Sequence, residues 1–274
     1  MVERQNKISI VTINYNNADG LYNTIKSVVL QKKRKASIEF IVVDGASTDH
    51  TNQVLEKFES LIDVVISEKD AGIYHAMNKG LSVATGESIL FLNSGDRFFL
   101  PFDLSQFQDK FELNSHIVFC KTIQRFGEDA YVRPSCRDFK KAKKIFGHQG
   151  LFVPKFVYKR VSYRTDFMIS ADVLWIKEVT ELAPIKYCED ICAVFELGGI
   201  SNNPSLKQIK FYAMQQNKKS LVIKSILKFL IKLFFGSKLM YRIIFWKKFD
   251  FINGKIIDSM ENPYSCYDRH KSIF

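Results

Sequence analysis

Short apolar runs and amphipathic stretches alternate along the first hundred residues of this chain. Ile8 to Ile13 is a β-branched run that closes in the polar cluster Thr12-Ile-Asn14-Tyr15-Asn16-Asn17. A helical stretch follows from about Leu21 to Leu30, with Ile25, Val28 and Val29 as its inward stripe. The next apolar run, Ile38 to Val43, stops at Asp44-Gly45-Ala46-Ser47-Thr48-Asp49. There Ser47 or Thr48 is placed to cap a helix that carries Val54, Leu55 and Phe58. Val64 to Ile66 reads as a third strand. Helical spacing returns at Ile73, Ala76, Met77, Leu81 and Ala84, Gly86 stops it, and Ser88 to Leu92 reads as a buried strand ending in Asn93-Ser94-Gly95-Asp96. This alternation is the pattern of an α/β fold with a parallel sheet and right-handed crossovers. The strands end in polar residues that include Asn or Asp, so those side chains line one edge of the sheet. In open α/β sheets, ligands bind beyond that edge.

The rest of the chain is less regular. Leu104 to Leu113 has helical spacing, His116 to Thr122 and Ala130 to Arg133 read as strands, and Lys140 to Lys144 is a solvated basic run. His148-Gln149-Gly150 precedes a strand from Leu151 to Val153. Ser170-Ala171-Asp172 opens a helix through Val179 that carries Leu174, Trp175 and Ile176. Glu196 to Ser201 reads as a strand end and glycine turn. After Pro204 the character changes. Between Lys218 and Lys248, lysines 224, 228 and 232 share one helical face among Ile223, Ile226, Leu227, Leu230, Ile231, Phe234 and Phe235. Lysines interrupt the apolar runs too often for a bilayer span of about 20 residues. A basic amphipathic helix in the headgroup region, with Phe245 and Trp246 beside it, fits instead. The alternative is a helix packed on the main domain with its lysines in water. The expected organisation is a domain over residues 1–205, in halves 1–100 and 101–205, and an extension over 206–274.

Composition narrows the classes. A hydrophobic content of 46% with 25% charged residues excludes wholesale disorder. Forty basic against 29 acidic residues give a net charge of +11, which calls for an anionic partner: nucleic acid, anionic lipid or a phosphorylated substrate. The lysines gather among bulky aliphatics, and no nucleic-acid motif occurs, so nucleic acid is not expected. Five cysteines at irregular spacing fit reduced thiols, and Cys188 with Cys192 lacks the second pair of a zinc site. The N-terminal residues lack the apolar core of a signal peptide, which predicts a cytoplasmic chain.

The chemistry sits at the strand ends. A carboxylate at the tip of a polar turn, as Asp96 is, suits a divalent cation bridging a diphosphate, because Mg2+ and Mn2+ prefer oxygen ligands. Six stretches occur in order: Ile10-Val-Thr-Ile-Asn-Tyr-Asn16, Val42-Val-Asp-Gly-Ala-Ser-Thr-Asp49, Ser67-Glu-Lys-Asp-Ala-Gly-Ile-Tyr74, Ala76-Met-Asn-Lys-Gly80, Ala84-Thr-Gly86 and Phe91-Leu-Asn-Ser-Gly-Asp96. In this series the chain resembles glycosyltransferase family 2, whose members have the GT-A fold, a Rossmann-like mixed sheet flanked by helices, and use nucleotide-activated sugars. The resemblance implies that Thr12 and Asn14 border the nucleotide and that Asp44 accepts a hydrogen bond from the base, uracil. It implies that Glu68, Lys69 and Asp70 line the base and sugar pocket, and that Asn78 and Lys79 lie on a helix flanking the donor. Asn93 belongs to the same donor-binding set. Asp96 matches the last carboxylate of the family's Asp-x-Asp motif and would hold Mn2+ or Mg2+. Asn93 and Gly95 depart from that motif, so the diphosphate must supply much of the coordination. His75 stands where such sequences commonly have Asp and receives no task.

The acceptor hydroxyl must lose a proton as it attacks the anomeric carbon, and a positioned carboxylate can take it. Asp172, opening a helix well downstream of Asp96, is the expected base, with Glu189 and Asp190 as a rival pair. His148 and Gln149 are expected to touch the acceptor or the diphosphate. The leading expectation is an inverting transferase at the inner face of the cell membrane. It would move a sugar from a UDP-sugar to a polyprenyl-diphosphate-linked saccharide in surface polysaccharide assembly, O-antigen or capsule included. A glycolipid acceptor and an anionic membrane surface are its expected partners, and a homo-oligomer is compatible with the sequence. Rivals are transfer to a soluble or protein acceptor, a nucleic-acid-binding protein, and a non-catalytic sugar-nucleotide sensor.

Overall fold

The computed structural model describes residues 6–133, 147–167, 171–197, 219–245 and 250–253, with single positions at Leu206 and Ile209. Four parallel strands form its first half: β1 (Ile8–Asn14), β2 (Ile38–Asp44), β3 (Val64–Ser67) and β4 (Ser88–Phe91), in the order β4-β1-β2-β3. Helices α1 (Ala18–Lys33), α2 (Thr51–Lys57) and α3 (Ile73–Val83) make the crossovers. Side chains of one parity (Ile8, Ile10, Phe40, Val42, Leu90, Leu92) pack on α1 and α2 through Leu21, Ile25, Val28, Val54 and Leu55. Those of the other parity (Val11, Ile13, Ile41, Val43, Ile89, Phe91) pack on α3 through Met77 and Leu81 and on Trp175 and Ile176. Burial on both faces is why these strands read as unbroken apolar runs.

The sheet then changes hand. A short strand β5 (Arg97–Phe98) and helix α4 (Leu104–Lys110) lead into β6 (Ile117–Phe126) and β7 (Asp129–Arg133). After β8 (Leu151–Pro154) come α5 (Lys155–Tyr158), α6 (Ala171–Val179) and β9 (Ile185–Glu196). Strand β8 is the joint: it runs antiparallel to both β4 and β6, and so links the parallel half to the second half. Strand β9 lies parallel to β6 and antiparallel to β5. Helix α7 (Lys219–Phe245) is followed by β10 (Asp250–Asn253), which pairs antiparallel with β7. The C-terminal extension therefore adds a strand to the main sheet.

Three strands escape the sequence pattern. Strands β5 and β10 are very short, and β9 carries Glu189 and Asp190 at exposed positions that break its apolar run. The expected cap of α2 is also corrected. Ser47 is engaged by Asp44, while Asp49 accepts from the Thr51 amide at 3.1 Å and the Thr51 hydroxyl at 2.6 Å. Asp49 is simply nearer the first turn. The basic run at 140–144, Ser170, the glycine turn at 198–200 and Trp246 lie outside the described residues. Cys120, Cys188 and Cys192 are buried and free, as reduced thiols should be.

Helix α7 is broken at Gly236, which adopts φ 81° and ψ 167°. Beyond the break, Met240 and Tyr241 are buried against Tyr131 and Leu197, and Arg242 makes two hydrogen bonds to Asp129, at 2.9 and 2.8 Å. Before it, large apolar side chains stand in solvent, Leu233, Phe234 and Phe235 being 65–71% exposed. Among the described residues, no helix is long and apolar enough to cross a membrane.

One buried carboxylate ties the first strands to the α3–β4 loop. Glu39 accepts hydrogen bonds from the Ser9 hydroxyl (2.5 Å), the Thr85 hydroxyl (2.5 Å) and the Thr85 amide (2.7 Å). Burial by itself would raise its pKa, but these bonds and the Lys7 charge hold it below the usual range. A depressed carboxylate adds stability above its unfolded pKa and loses it as the pH falls through the folded one. Glu39→Gln is expected to cost about 2 kcal/mol at pH 7. Urea melts should show that difference shrinking as the pH falls below the ordinary glutamate range and through the lower folded pKa of Glu39.

Candidate active site

Parallel pairing brings the strand tips together. Asn14 is the register partner of Asp44, and Asp44 is that of Ser67. Asp44 is fully buried, and four donors occupy its carboxylate: Asn14 Nδ2 (2.8 Å), the Ser47 amide (2.9 Å) and hydroxyl (2.5 Å), and the Ser67 hydroxyl (3.1 Å). A base would reach Asp44 only by displacing a serine hydroxyl, which is free to rotate toward another acceptor. Asn14 also reaches Thr51 Oγ1 at 3.0 Å, while its own Oδ1 is buried without a partner. On the next turn Asn16 (φ 49°) accepts from the Thr48 amide at 2.8 Å, so the β1 and β2 tips lock together. Tyr15 stays 67% exposed between them. The sequence reading passed over this ring, though a lone aromatic in a polar strand tip was its signal.

The β3–α3 loop closes the same edge. Lys79 on α3 reaches Asp70 at 2.6 Å and Glu68 at 2.9 Å, and His75 Nδ1 lies 3.2 Å from Asp70. Burial would lower the Lys79 pKa, but the two carboxylates hold it above the usual lysine range. Asp70 in turn lies over Gly45, where a Cβ would come within 3.2 Å of Asp70 Oδ2 and of the Tyr15 ring. Lys69 is exposed beside this cluster. His75 thus has a partner that the sequence did not supply.

Two residues of the expected donor-binding set bond to the scaffold. Thr12 is completely buried, and its hydroxyl donates to the Leu92 carbonyl at 2.7 Å, tying β1 to the end of β4. Asn78 clamps the backbone of Tyr163, donating to its carbonyl at 2.9 Å and accepting from its amide at 2.8 Å. Tyr163 then stacks on Trp175, with ring centroids 4.7 Å apart. Both side chains bond to the scaffold.

Asp96 follows Gly95 (φ 100°) in the turn after β4, which Thr24 of α1 pins by donating to the Asp96 carbonyl at 2.6 Å. The same turn meets the β1 tip, where Asn17 donates to the Ser94 carbonyl at 3.1 Å. Asp96 is 3% exposed, and its side chain accepts from Gln149 at 3.3 Å. Burial pushes its carboxyl well above the usual range, and the Gln149 bond only partly offsets this. Among the described residues, no group of three His, Cys, Asp or Glu side chains is arranged to hold a metal ion. The donor set therefore fits a cation only as a single uncompensated carboxylate, with diphosphate and water completing the shell.

Asp172, in the first turn of α6, faces this turn from the second half. Tyr74 donates to its Oδ1 at 3.4 Å, and His148 Nδ1 lies 3.9 Å from its Oδ2. Burial would raise its pKa, but His148, the Val173 amide and Arg133 hold it below the usual carboxylate value. Its side chain is still 29% exposed, so the ionised carboxylate keeps an open side. Arg133 at the end of β7 was missed. Burial brings its pKa down to about 10, with the Asp172 charge opposing. The rival pair Glu189 and Asp190 sits elsewhere, Glu189 on Lys121 at 2.6 Å and Asp190 beside Lys110 at 3.9 Å. His148 and Gln149, expected to touch the acceptor or the diphosphate, are 8% and 5% exposed and contact Asn93 and Asp96.

Comparison with known proteins places this arrangement. The model of the family described as Glycosyl transferase family 2 matches residues 9–172. A protein of Mycobacterium tuberculosis described as an uncharacterised glycosyltransferase is 34% identical over 175 residues, which are 60% of this chain and 65% of that protein. The match thus spans just under two thirds of the relative's length. Staphylococcus aureus TarS, described as a poly(ribitol-phosphate) β-N-acetylglucosaminyltransferase, is 31% identical over 93 residues, 33% of this chain and 16% of its own. The crystal structure of TarS with UDP superposes with a TM-score of 0.59 at 18% identity, covering 85% of this chain and 73% of that one. A TarS structure with UDP-GlcNAc gives a TM-score of 0.57 at 16% identity, covering 83% and 73%. A mannosyltransferase of Pyrobaculum calidifontis, solved with GDP-mannose and Mn2+, gives 0.53 at 18% identity, covering 71% and 58%. At such identities the likeness is one of fold, GT-A-like in each case.

Asn78→Ala removes both bonds to the Tyr163 backbone. It is expected to cost about 1–3 kcal/mol in a denaturant melt while leaving the affinity for UDP unchanged by calorimetry.

Proposed function

The chain belongs to glycosyltransferase family 2, and on that premise we propose that it is an inverting transferase acting from a UDP-sugar on a lipid-linked saccharide of a surface polymer. One observation carries this reading: Asp44, Asp70, Asp96 and Asp172 meet at the same sheet edge, each in different electrostatic surroundings. The first two would receive the nucleoside, with the exposed Tyr15 ring offering a face to the base. Asp96 would hold Mn2+ or Mg2+ against the diphosphate. When bound, such a cation supplies Lewis-acid stabilisation of the leaving group. Asp172 takes the proton of the acceptor hydroxyl as its oxygen bonds to the anomeric carbon. The bond from that carbon to the diphosphate oxygen breaks, and UDP departs with the electron pair. A single displacement inverts the anomeric centre. The depressed pKa of Asp172 keeps it ionised at neutral pH, the form a general base needs.

The N-terminal half of α7 supports a membrane-bound acceptor. It sets Lys224 and Lys228 beside Ile223, Leu227, Phe234 and Phe235, all exposed. Lysine near aliphatic and aromatic side chains suits the headgroup layer of an anionic leaflet. Its C-terminal half is packed on the sheet, as the soluble-acceptor alternative requires of the whole helix. The exposed half is what favours the membrane reading.

Two experiments test the proposal. UDP-GlcNAc with Mn2+ is expected to raise the thermal midpoint, an effect of about 2.7 kcal/mol at a hundredfold excess over Kd, and Asp44→Ala should abolish it. Asp172→Asn should keep that stabilisation but lower turnover by about 10²–10⁴-fold. No stabilisation by any UDP-sugar would sink the donor assignment. Separately, the chain should co-sediment with phosphatidylserine vesicles, and replacing lysines 224, 228 and 232 by Glu should release it. Self-association in place of vesicle binding, read by light scattering, would assign the exposed face to a second copy.

A further inference from the structure

The one-turn helix that carries His148 and Gln149 touches both halves of the site. Gln149 donates to Asp96 Oδ2 at 3.3 Å, while His148 Nδ1 lies 3.9 Å from Asp172 Oδ2. The imidazole is buried, edge-on to Phe91 with ring centroids 6.3 Å apart, and its Nε2 lies 3.2 Å from Asn93 Nδ2. An amide nitrogen can only donate, so Nε2 accepts. In the neutral ring the proton then sits on Nδ1, the nitrogen that faces Asp172. Turning the Asn93 amide over would make Nε2 the donor. A neutral ring would then present a lone pair to a carboxylate, an arrangement that repulsion disfavours.

We propose that His148 is the positioning residue for Asp172, its Nδ1–H holding the carboxylate between the imidazole and the Tyr74 hydroxyl, with Asn93 fixing the tautomer. This rests on Asp172 being the base. A gap of 3.9 Å is too long for a hydrogen bond, and contacts of this kind close when the substrate is in place. Among the described residues, the Val173 amide, Arg133 and the Tyr163 hydroxyl also act on or lie near Asp172, and none of them approaches from the imidazole's helix. Asn93 also gains a reason for being an amide. An aspartate there would accept from Nε2–H, so the ring would either turn a lone pair on Asp172 or take a second proton. The turn thus sets the geometry of the base with one side chain and braces Asp96 with the next.

The test uses the full chain labelled with ¹⁵N-histidine. Long-range proton–nitrogen correlation at pH 7.5, with the His148 signals identified by their loss in His148→Gln, should show the proton on Nδ1. Asn93→Asp should move it to Nε2 or protonate both nitrogens. With UDP-GlcNAc and Mn2+ as the probe, donor hydrolysis should fall in kcat by about 10- to 100-fold in His148→Ala, with KM within about twofold. His148→Gln, whose amide can donate in place of Nδ1–H, should recover most of that rate. A proton on Nε2 in the wild type, a glutamine variant no better than alanine, or a change confined to KM would each overturn the proposal. Undiminished turnover in Asp172→Asn would overturn the base assignment as well, and the tautomer spectrum tells that failure from one of the His148–Asn93 pair alone.

Discussion

The in-register pairing of β1 with β2 is the constraint on which the rest depends. It sets Asn14 against Asp44 at the very end of both strands, where a one-residue slip would carry every side chain to the wrong face. Register is enforced from both sides, because the two parities of each strand are buried in separate cores. Once it is fixed, the turns after β1, β2 and β4 must emerge together. Bonds from Asn16 to Thr48 and from Asn17 to Ser94 then join them into one rim.

At this edge, four carboxylates have four different surroundings. Asp44 is saturated with neutral donors, so it organises the loop and can trade one hydroxyl for a base. Asp70 is paired with Lys79 and His75 and keeps the β3–α3 loop closed over Gly45. Asp96 is buried, and hydrogen bonds from Gln149 and from backbone groups offset only part of the cost of its charge. Asp172 has a histidine and an arginine nearby and stays ionised with an open side. Paired or uncompensated, each state follows from the neighbours rather than from the residue type.

The C-terminal segment divides its labour at Gly236. One half completes the sheet edge through Met240, Tyr241 and the Arg242–Asp129 pair, which anchors it to β7. The other half projects apolar and basic side chains away from the packed domain. A helix anchored at its C-terminal end can present exposed side chains at the other.

Residue patterns alone determined the parallel half. Continuous apolar runs, helical spacing and strand-terminal Asn and Asp residues placed β1 to β4, their crossovers and the edge that bears Asp44, Asp70 and Asp96, because period and burial are local properties of the chain. Asp172 was also legible as a carboxylate opening a helix. Only the folded chain decided which partners these side chains meet. Thr12 and Asn78 sit in matching motifs yet bond backbone groups 80 and 85 residues away, and no local pattern encodes such a partner. His75, Arg133 and the His148–Asn93 contact emerged in the same way. Strand β9, with charges at its exposed positions, became a strand only because β5 and β6 were there to pair with it. Which element a residue belongs to is written nearby in the sequence; whom it meets is set by long-range packing.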